Sequence, residues 1–136
     1  MFGKKTQPPI KSLIAQGTRI EGNMKFTEGL RVDGEVYGDI QASPEENGSL
    51  LVISEASVVQ GAIQADHVII NGTVRGPVHA RELLELQPKA RIEGDVSYIA
   101  LEMHQGATIS GQLRPLVAGA NGEEEKPLLK LAAKSA

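Results

Sequence analysis

The chain has 136 residues, of which 40% are hydrophobic and 23% charged, as is typical of one globular domain with additional tails. The net charge of −3 argues against a general nucleic-acid-binding protein, and the absence of cysteine excludes disulfides, thiolate metal sites and cysteine nucleophiles. Aromatic residues make up only 3%, whereas there are 15 glycines, so any core must consist of aliphatic side chains packed against glycine backbone.

The first segment, residues 1–17, contains two adjacent prolines and few periodic apolar residues, which predicts a flexible tail. Its first five residues combine two large apolar side chains with two lysines. The segment lacks the apolar stretch of a secretory signal. No apolar run in the chain approaches the ~20 residues of a membrane span. We therefore expect a soluble, cytosolic protein.

Residues 18–113 repeat one short phrase: an aliphatic residue, any residue, glycine, any residue and a second aliphatic residue. The intervals between one glycine of each unit and the next are 16, 23, 15, 18 and 17 residues. Such a period is typical of solenoid proteins. The six glycines are Gly22, Gly38, Gly61, Gly76, Gly94 and Gly111.

Hydrophobic residues within each unit recur with a period of two. Val32, Val36 and Ile40 share one parity, whereas Asp33 and Glu35 take the other, which predicts strands with one buried face. The period of about 17 residues then allows three short strands in each turn of the chain. We therefore predict an all-β fold: a single-stranded β-helix (solenoid) of about six short triangular coils.

Two other all-β folds are also built from short strands. A β-sandwich would place turn dipeptides between strands every 8–12 residues, but here Asp-Gly and Asn-Gly lie inside the alternating runs without changing their parity. A left-handed hexapeptide helix has an aliphatic residue at every sixth position, whereas this chain has them two apart around glycine. Both folds are therefore disfavoured. The one long interval contains residues 43–49, whose polar composition with proline and glycine predicts an inserted loop.

The last segment, residues 114–136, begins with an Arg-Pro pair, contains an acidic run at 123–125 and ends in a stretch rich in leucine, alanine and lysine. This final stretch of about nine residues is too short to form a stable helix alone. We predict a second flexible tail. The predicted organisation is thus a tail over 1–17, a β-helix over 18–113 and a tail over 114–136.

Three phrases in combination resemble the bactofilin family, namely those at residues 20–22, 30–40 and 90–96. The resemblance extends over about residues 14–113. It implies a right-handed β-helix flanked by disordered tails. It further implies a bacterial cytoskeletal scaffold that self-assembles without nucleotide into nonpolar filaments and recruits proteins of cell shape, polarity or cell-wall synthesis.

The resemblance also implies a peripheral location at the inner face of the cytoplasmic membrane. Relatives attach through a short hydrophobic N-terminal peptide, which corresponds here to Met1, Phe2, Lys4 and Lys5. One inserted phenylalanine and two lysines near anionic lipid give only about millimolar affinity. Firm attachment therefore requires many copies in one filament.

The two ends of the predicted β-helix are expected to associate. A solenoid exposes unpaired backbone groups at its first and last coils unless polar or bulky segments cap them. Neither flank has a convincing amphipathic cap, and the terminal phrases retain large apolar residues. We predict an end-to-end homopolymer whose interface comprises Ile20, Met24, Phe26, Ile109 and Leu113.

No catalytic motif accompanies the repeat. The chain has neither a phosphate-binding G-x-x-x-x-G-K-[ST] loop nor a G-x-S-x-G nucleophile elbow. His67, His79 and His104 are widely spaced and are interpreted as surface residues. We predict no enzyme activity, cofactor, metal, nucleotide or nucleic-acid partner. The alternative function is a trimeric β-helical enzyme of the acyltransferase or carbonic anhydrase type, although loop 43–49 lacks the histidine such enzymes usually carry.

Overall fold

The computed structural model describes residues 9–44 and 48–116. Every regular element in these ranges is a β-strand, and every strand pair is parallel. The chain passes through three strand positions in each coil, and strands at the same position stack on one another. The stack therefore has three faces, each formed by six strand segments. The predicted β-helix of about six coils is confirmed.

The three faces follow one another in every coil, from face 3 to face 1 to face 2. Face 1 consists of β2 (Arg19–Glu21), β5 (Glu35–Tyr37), β8 (Val58–Gln60), β10 (Thr73–Arg75), β12 (Arg91–Glu93) and β15 (Thr108–Ser110). Face 2 consists of β3 (Met24–Phe26), β6 (Ile40–Ala42), the first parts of β9 (Ile63–Ile70) and β11 (Val78–Leu86), β13 (Val96–Tyr98) and β16 (Leu113–Pro115). Face 3 consists of β1 (Ile10–Ile14), β4 (Gly29–Val32), β7 (Leu50–Ile53), the second parts of β9 and β11, and β14 (Ala100–Met103).

Aliphatic side chains at equivalent positions form continuous columns inside the coils. The alternation of the sequence turns every second residue of a strand inward, and the parallel register places each one on its equivalent in the next coil. The column of face 1 is Ile20, Val36, Val59, Val74, Ile92 and Ile109. The column of face 2 is Met24, Ile40, Ile63, Val78, Val96 and Leu113. Full burial of each such side chain contributes about 1.5–3 kcal/mol.

The six repeat glycines lie together at the corner between faces 1 and 2. Gly61, for example, has φ +153°, and its N–H donates to the carbonyl oxygen of Arg75 at 3.0 Å. A Cβ atom added at Gly61 would overlap with the carbonyl oxygen of Gly38 in the preceding coil. The sequence repeats glycine here because neighbouring coils approach each other too closely for a side chain.

Carboxylate and amide oxygens extend the hydrogen bonding along the same corner. Oδ1 of Asn23 accepts from the N–H of Asp39 at 2.9 Å, and Oδ1 of Asp39 accepts from the N–H of Ala62 at 2.9 Å. Oδ1 of Asp95 accepts from the N–H of Gln112 at the same distance. These bonds connect successive coils where the strand ladders are interrupted.

The predicted insertion at residues 43–49, of which 45–47 lie outside the described residues, follows β6 of face 2 and precedes β7 of face 3. It does not disturb the stacking, because Leu50 resumes the register opposite Gly29. A loop at a corner leaves the strands on both sides free to pair with their neighbours. The sequence pattern had left the regularity of this coil open.

Asp66 holds the end of this loop in place. One carboxylate oxygen accepts from the N–H of Ser49 at 3.0 Å, and the other accepts from Nε of Arg81 at 2.6 Å. The side chain of Asp66 is only 5% exposed. Burial acts to raise the pKa of Asp66, but the bonds from Ser49 and Arg81 outweigh it and hold that pKa below its usual value.

The β-helix begins earlier than the predicted boundary at residue 18. β1 starts at Ile10 and pairs with β4, where Leu13 lies opposite Arg31 and Ile14 lies opposite Val32. The boundary at residue 18 was predicted from the glycine phrase, which this segment lacks. Its pairing with β4 is also irregular, because the register shifts between Ile10 and Ser12. Pairing with β4 supplies the backbone partners that make it a strand. At the other end, β16 extends two residues beyond the predicted limit at 113, to Pro115.

Candidate polymer interface

The N-terminal end of the β-helix is formed by β1, β2 and β3. Within residues 9–44 and 48–116 each of these strands pairs on one side only, with β4, β5 and β6 respectively. The opposite edge therefore presents unpaired backbone groups, which can accept another strand. Ile20 and Met24 are partly buried and pack against the core from this end, where the predicted interface places them.

Phe26 differs from this prediction, because its side chain is buried and only 8% exposed. The residue lies in register with Ala42 of the next coil. The small alanine leaves room for the aromatic ring to pack over the interior, so that the ring closes part of the end of the core. Phe26 is a core residue in the described chain rather than an exposed apolar group.

The C-terminal end is formed by β14, β15 and β16, which pair only with β11, β12 and β13 in the described ranges. Ile109 and Leu113 are partly buried at this end, again where the prediction places them. The structure adds Leu101 and Met103, which continue the inward columns of face 3 and are also partly buried. Leu101 and Met103 flank the polar Glu102, an alternation that indicates two inward positions. The prediction did not include them because it relied on the glycine phrase, which this strand lacks.

Ion pairs lie near both ends. At the N-terminal end Arg19 pairs with Glu21 at 3.1 Å, and Lys11 pairs with Glu28 at 3.1 Å. Each exposed pair contributes little to stability. Charges of both signs lie at the same rim, however, which limits like-charge repulsion when two identical ends meet.

At the C-terminal end Arg114 pairs with Asp95 at 3.1 Å. The backbone N–H of Gln112, followed by the guanidinium of Arg114, holds the pKa of Asp95 below its usual value. Asp95 therefore stays ionised at neutral pH and keeps its hydrogen bond between the last two coils. The same pair fixes the side chain of Arg114 over the outer surface of face 2.

Glu85, Glu102 and His104 form a cluster on face 3 near the C-terminal end. Potential ligand atoms of the three residues lie within 4.8 Å of one another, and Nε2 of His104 lies 3.7 Å from a carboxylate oxygen of Glu85. The sequence pattern indicates an isolated surface residue at His104, because Glu85 comes from the preceding coil and only the register between β11 and β14 brings it close. The residue types are those of a cation site, but exposed carboxylates often gather without an ion, so the cluster assigns no metal.

The predicted membrane-contact residues Met1, Phe2, Lys4 and Lys5 lie outside the described residues. Among residues 9–44 and 48–116, no helix has the length and apolar character needed to cross a bilayer.

Comparison with known proteins places the chain among polymer-forming cytoskeletal proteins. Residues 12–114 match the model of the family described as "Bactofilin: Polymer-forming cytoskeletal". The match covers most of the chain, and the chain therefore belongs to the bactofilin family.

Two relatives from Myxococcus xanthus strain DK1622 are similar to most of the chain. The chain is 26% identical to bactofilin BacO over 112 residues, which cover 82% of this chain and 85% of BacO. It is 26% identical to bactofilin BacP over 102 residues, which cover 75% of this chain but only 40% of BacP. No solved structure gives a significant match to the chain.

Proposed function

We propose that this bactofilin assembles through the two ends of its β-helix into nonpolar filaments, without nucleotide. The observation that carries the proposal is the change in side-chain burial from the middle of each interior column to its ends. Val36, Val59, Val74 and Ile92 are at most 1% exposed, whereas Ile20 and Ile109, at the two ends of the same column, are only partly buried.

End-to-end stacking would complete the burial of these columns and pair the open strand edges. Each partly buried aliphatic side chain gains up to about 1 kcal/mol when it is covered, and the new backbone pairs extend three faces at once. Joints between two identical ends are isologous. A filament with both kinds of joint, N-terminal to N-terminal and C-terminal to C-terminal, has no overall polarity.

Electron microscopy of the purified protein without nucleotide tests this assembly. Filaments are expected for the wild type, and Ile109→Arg should abolish them, because a charge would be buried in the C-terminal joint. Ser110→Arg is the matched control: Ser110 neighbours Ile109 in β15 but is exposed. This variant should still form filaments.

The products of Ile109→Arg also test the polarity. If each joint unites identical ends, the intact N-terminal ends still associate and sedimentation should show dimers. A polar, head-to-tail filament uses both ends in every joint, so the same substitution would give monomers. Discrete wild-type trimers would contradict the assembly and favour the enzyme alternative.

We also propose that the filaments lie on the cytoplasmic face of the membrane through Met1, Phe2, Lys4 and Lys5. Support comes from the composition of these residues and from the avidity of many weak contacts in one filament. Phe2→Ser should reduce co-sedimentation with anionic liposomes, and reversing the charge of Lys4 and Lys5 should reduce it further. Filaments that pellet equally well after deletion of residues 1–5 would refute the anchor.

Attached filaments would act as a scaffold for proteins of cell shape, polarity or cell-wall synthesis. A polymer presents the same surface at regular intervals and so concentrates weakly binding partners. Cells expressing Ile109→Arg in place of the wild type should lose the clustering of such partners. Clusters that persist without filaments would contradict the scaffold role.

A further inference from the structure

The outer surface of face 3 carries several large apolar residues, unlike that of face 2. Outward positions on face 2 are polar in all six coils: Lys25, Gln41, Gln64, His79, Ser97 and Arg114. On face 3 large aliphatic residues occupy outward or corner positions in four of the coils. These are Ile10, Leu13, Leu50, Val52, Ile69 and Leu83, which we call the face 3 stripe. Leu50, at its corner, is buried, whereas the other five residues are at least partly exposed.

The middle of the stripe is formed by residues in direct register. Val52 lies opposite Ile69, and Leu50 and Leu83 lie opposite His67 from the coils on either side. Burial lowers the pKa of His67 more than the carboxylates of Glu85, Glu82 and Glu102 raise it, so the imidazole is neutral at pH 7 and does not interrupt the stripe. Arg31 lies between Leu13 and Val52 and interrupts the stripe in the second coil, so that its continuous part runs from Val52 to Leu83. A single exposed apolar residue is ordinary, but such a group of neighbouring apolar residues indicates a binding surface.

The stripe has an acidic border towards the C-terminal end. Glu85 lies in register between Ile69 and Glu102, and Glu82 is exposed at the adjoining corner. Among the residues that the structure describes, Glu82 and Glu102 form no ion pair. An occupant with apolar and basic side chains would therefore match both parts of this surface.

The chain leaves the β-helix beside this surface. The N–H of Leu116 donates to the carbonyl oxygen of Tyr98 at 2.6 Å, at the corner from which the path of the chain turns from face 2 to face 3. A fully extended segment of eleven residues, the length of 117–127, spans up to ~36 Å. Val52 lies three coils away from this exit, a distance of about 14 Å along the stack.

The sequence beyond this connection has the required composition. It contains Leu128, Leu129 and Leu131 together with Lys130 and Lys134. We propose that residues 128–134 dock on the face 3 stripe of their own chain. The leucines would cover the stripe from Leu83 towards Val52, and the lysines would lie beside its acidic border. The covalent connection favours this occupant because it raises the local concentration of the segment to the millimolar range.

Disulfide formation in the full-length protein tests the docking, since the natural chain contains no cysteine. The test variant carries Val52→Cys and Leu131→Cys. The control variant carries Val58→Cys and Leu131→Cys. Val52 and Val58 belong to the same coil and are both partly buried, but Val58 points outward from face 1. Both positions therefore lie at the same height in the stack but on different faces.

We expect the test pair to form an intrachain disulfide about tenfold faster than the control pair, because docking raises the local concentration of the thiol introduced at position 131 at face 3 alone. The product should migrate as a monomer on a non-reducing gel. Lys130→Glu with Lys134→Glu should slow the reaction of the test pair. Circular dichroism establishes that each variant is folded, and Ile69→Cys replaces Val52→Cys if the latter is not.

Three results would overturn the proposal. Equal rates for the two pairs would mean that the segment samples the surface without docking. A dimer linked through two copies of position 52 would assign the stripe to lateral contact between chains. An unchanged rate after charge reversal of the two lysines would exclude the placement beside Glu85 and Glu102.

Discussion

The middle coils and the terminal coils of this β-helix have the same columns of side chains but differ in what covers them. Val74, in the middle of the face 1 column, is fully buried, whereas Ile109, at its C-terminal end, is only partly buried. The two residues are chemically similar and have the same inward orientation. The difference arises because a further coil follows Val74, and none of the described residues forms a coil beyond Ile109.

The comparison shows that one repeated residue can have two functions. In the middle of the stack, an inward aliphatic residue stabilises the fold. At an end, the same residue leaves apolar area and a strand edge available to a second molecule. Paired substitutions at equivalent positions can therefore separate the stability of one chain from the assembly of many.

The largest effect is expected for arginine substitutions in the face 1 column. Val74→Arg buries an unpaired charge, which should destabilise the fold by more than about 4 kcal/mol and prevent stable folding. Ile109→Arg should keep a cooperative thermal transition close to that of the wild type, because water reaches the end of the column. Thermal melts followed by circular dichroism measure both. Similar losses in the two variants would remove the distinction between middle and end.

A slightly smaller effect is expected in the glycine column. Gly61→Ala forces a Cβ atom against the carbonyl oxygen of Gly38 and should cost about 4 kcal/mol. Gly22 has φ +138° but no atom within 4 Å of an added Cβ. Gly22→Ala should therefore cost only the backbone strain of about 1–2 kcal/mol. Denaturant unfolding measures both values, and a Gly22→Ala variant as unstable as Gly61→Ala would contradict this account of the corner.

The ion pairs extend the comparison to the corners. Arg81→Met leaves the buried carboxylate of Asp66 without its charged partner and should cost about 3 kcal/mol. Arg114→Met breaks a pair whose side chains are 57% and 44% exposed, and its cost should stay below about 1 kcal/mol. Equal free energies of unfolding for the two variants would show that burial does not set the strength of these pairs.

The smallest effect is expected in the pH dependence of stability. The pKa of Asp66 is lower in the folded chain than the ordinary value of about 3.9 that applies when the chain is unfolded. The unfolded state therefore binds its proton at higher pH, and the stabilisation is lost as the pH falls below about 5 towards the lowered pKa. Asp66→Asn should flatten this acid limb by about 1.4 kcal/mol for each unit of pKa difference. Denaturant unfolding between pH 7 and 3 measures it, and an acid limb that stays unchanged would exclude Asp66 as its source.

The interior of the fold was predictable to a large extent. Gly22, Gly38 and Gly61 belong to one column that the spacing alone identified, and Ile20 and Ile109 occupy the ends where the prediction placed them. The prediction was less accurate where the glycine phrase is missing. The strand beginning at Ile10 was assigned to a tail, and the positions of Leu101 and Met103 were not recognised.

Sequence alone determined the period, the inward parity and the six-coil stack. The corner between faces 1 and 2 requires glycine in successive coils, and the alternation of aliphatic residues marks the buried side of each strand. Only the tertiary structure decided which side chains from different coils meet. The burial of Phe26 depends on the small Ala42 beside it, and the pairing of Asp66 with Arg81 joins residues one coil apart. The outer stripe through Val52 and Ile69 likewise needs the register between coils, because contacts across a stack depend on alignment that no single segment contains.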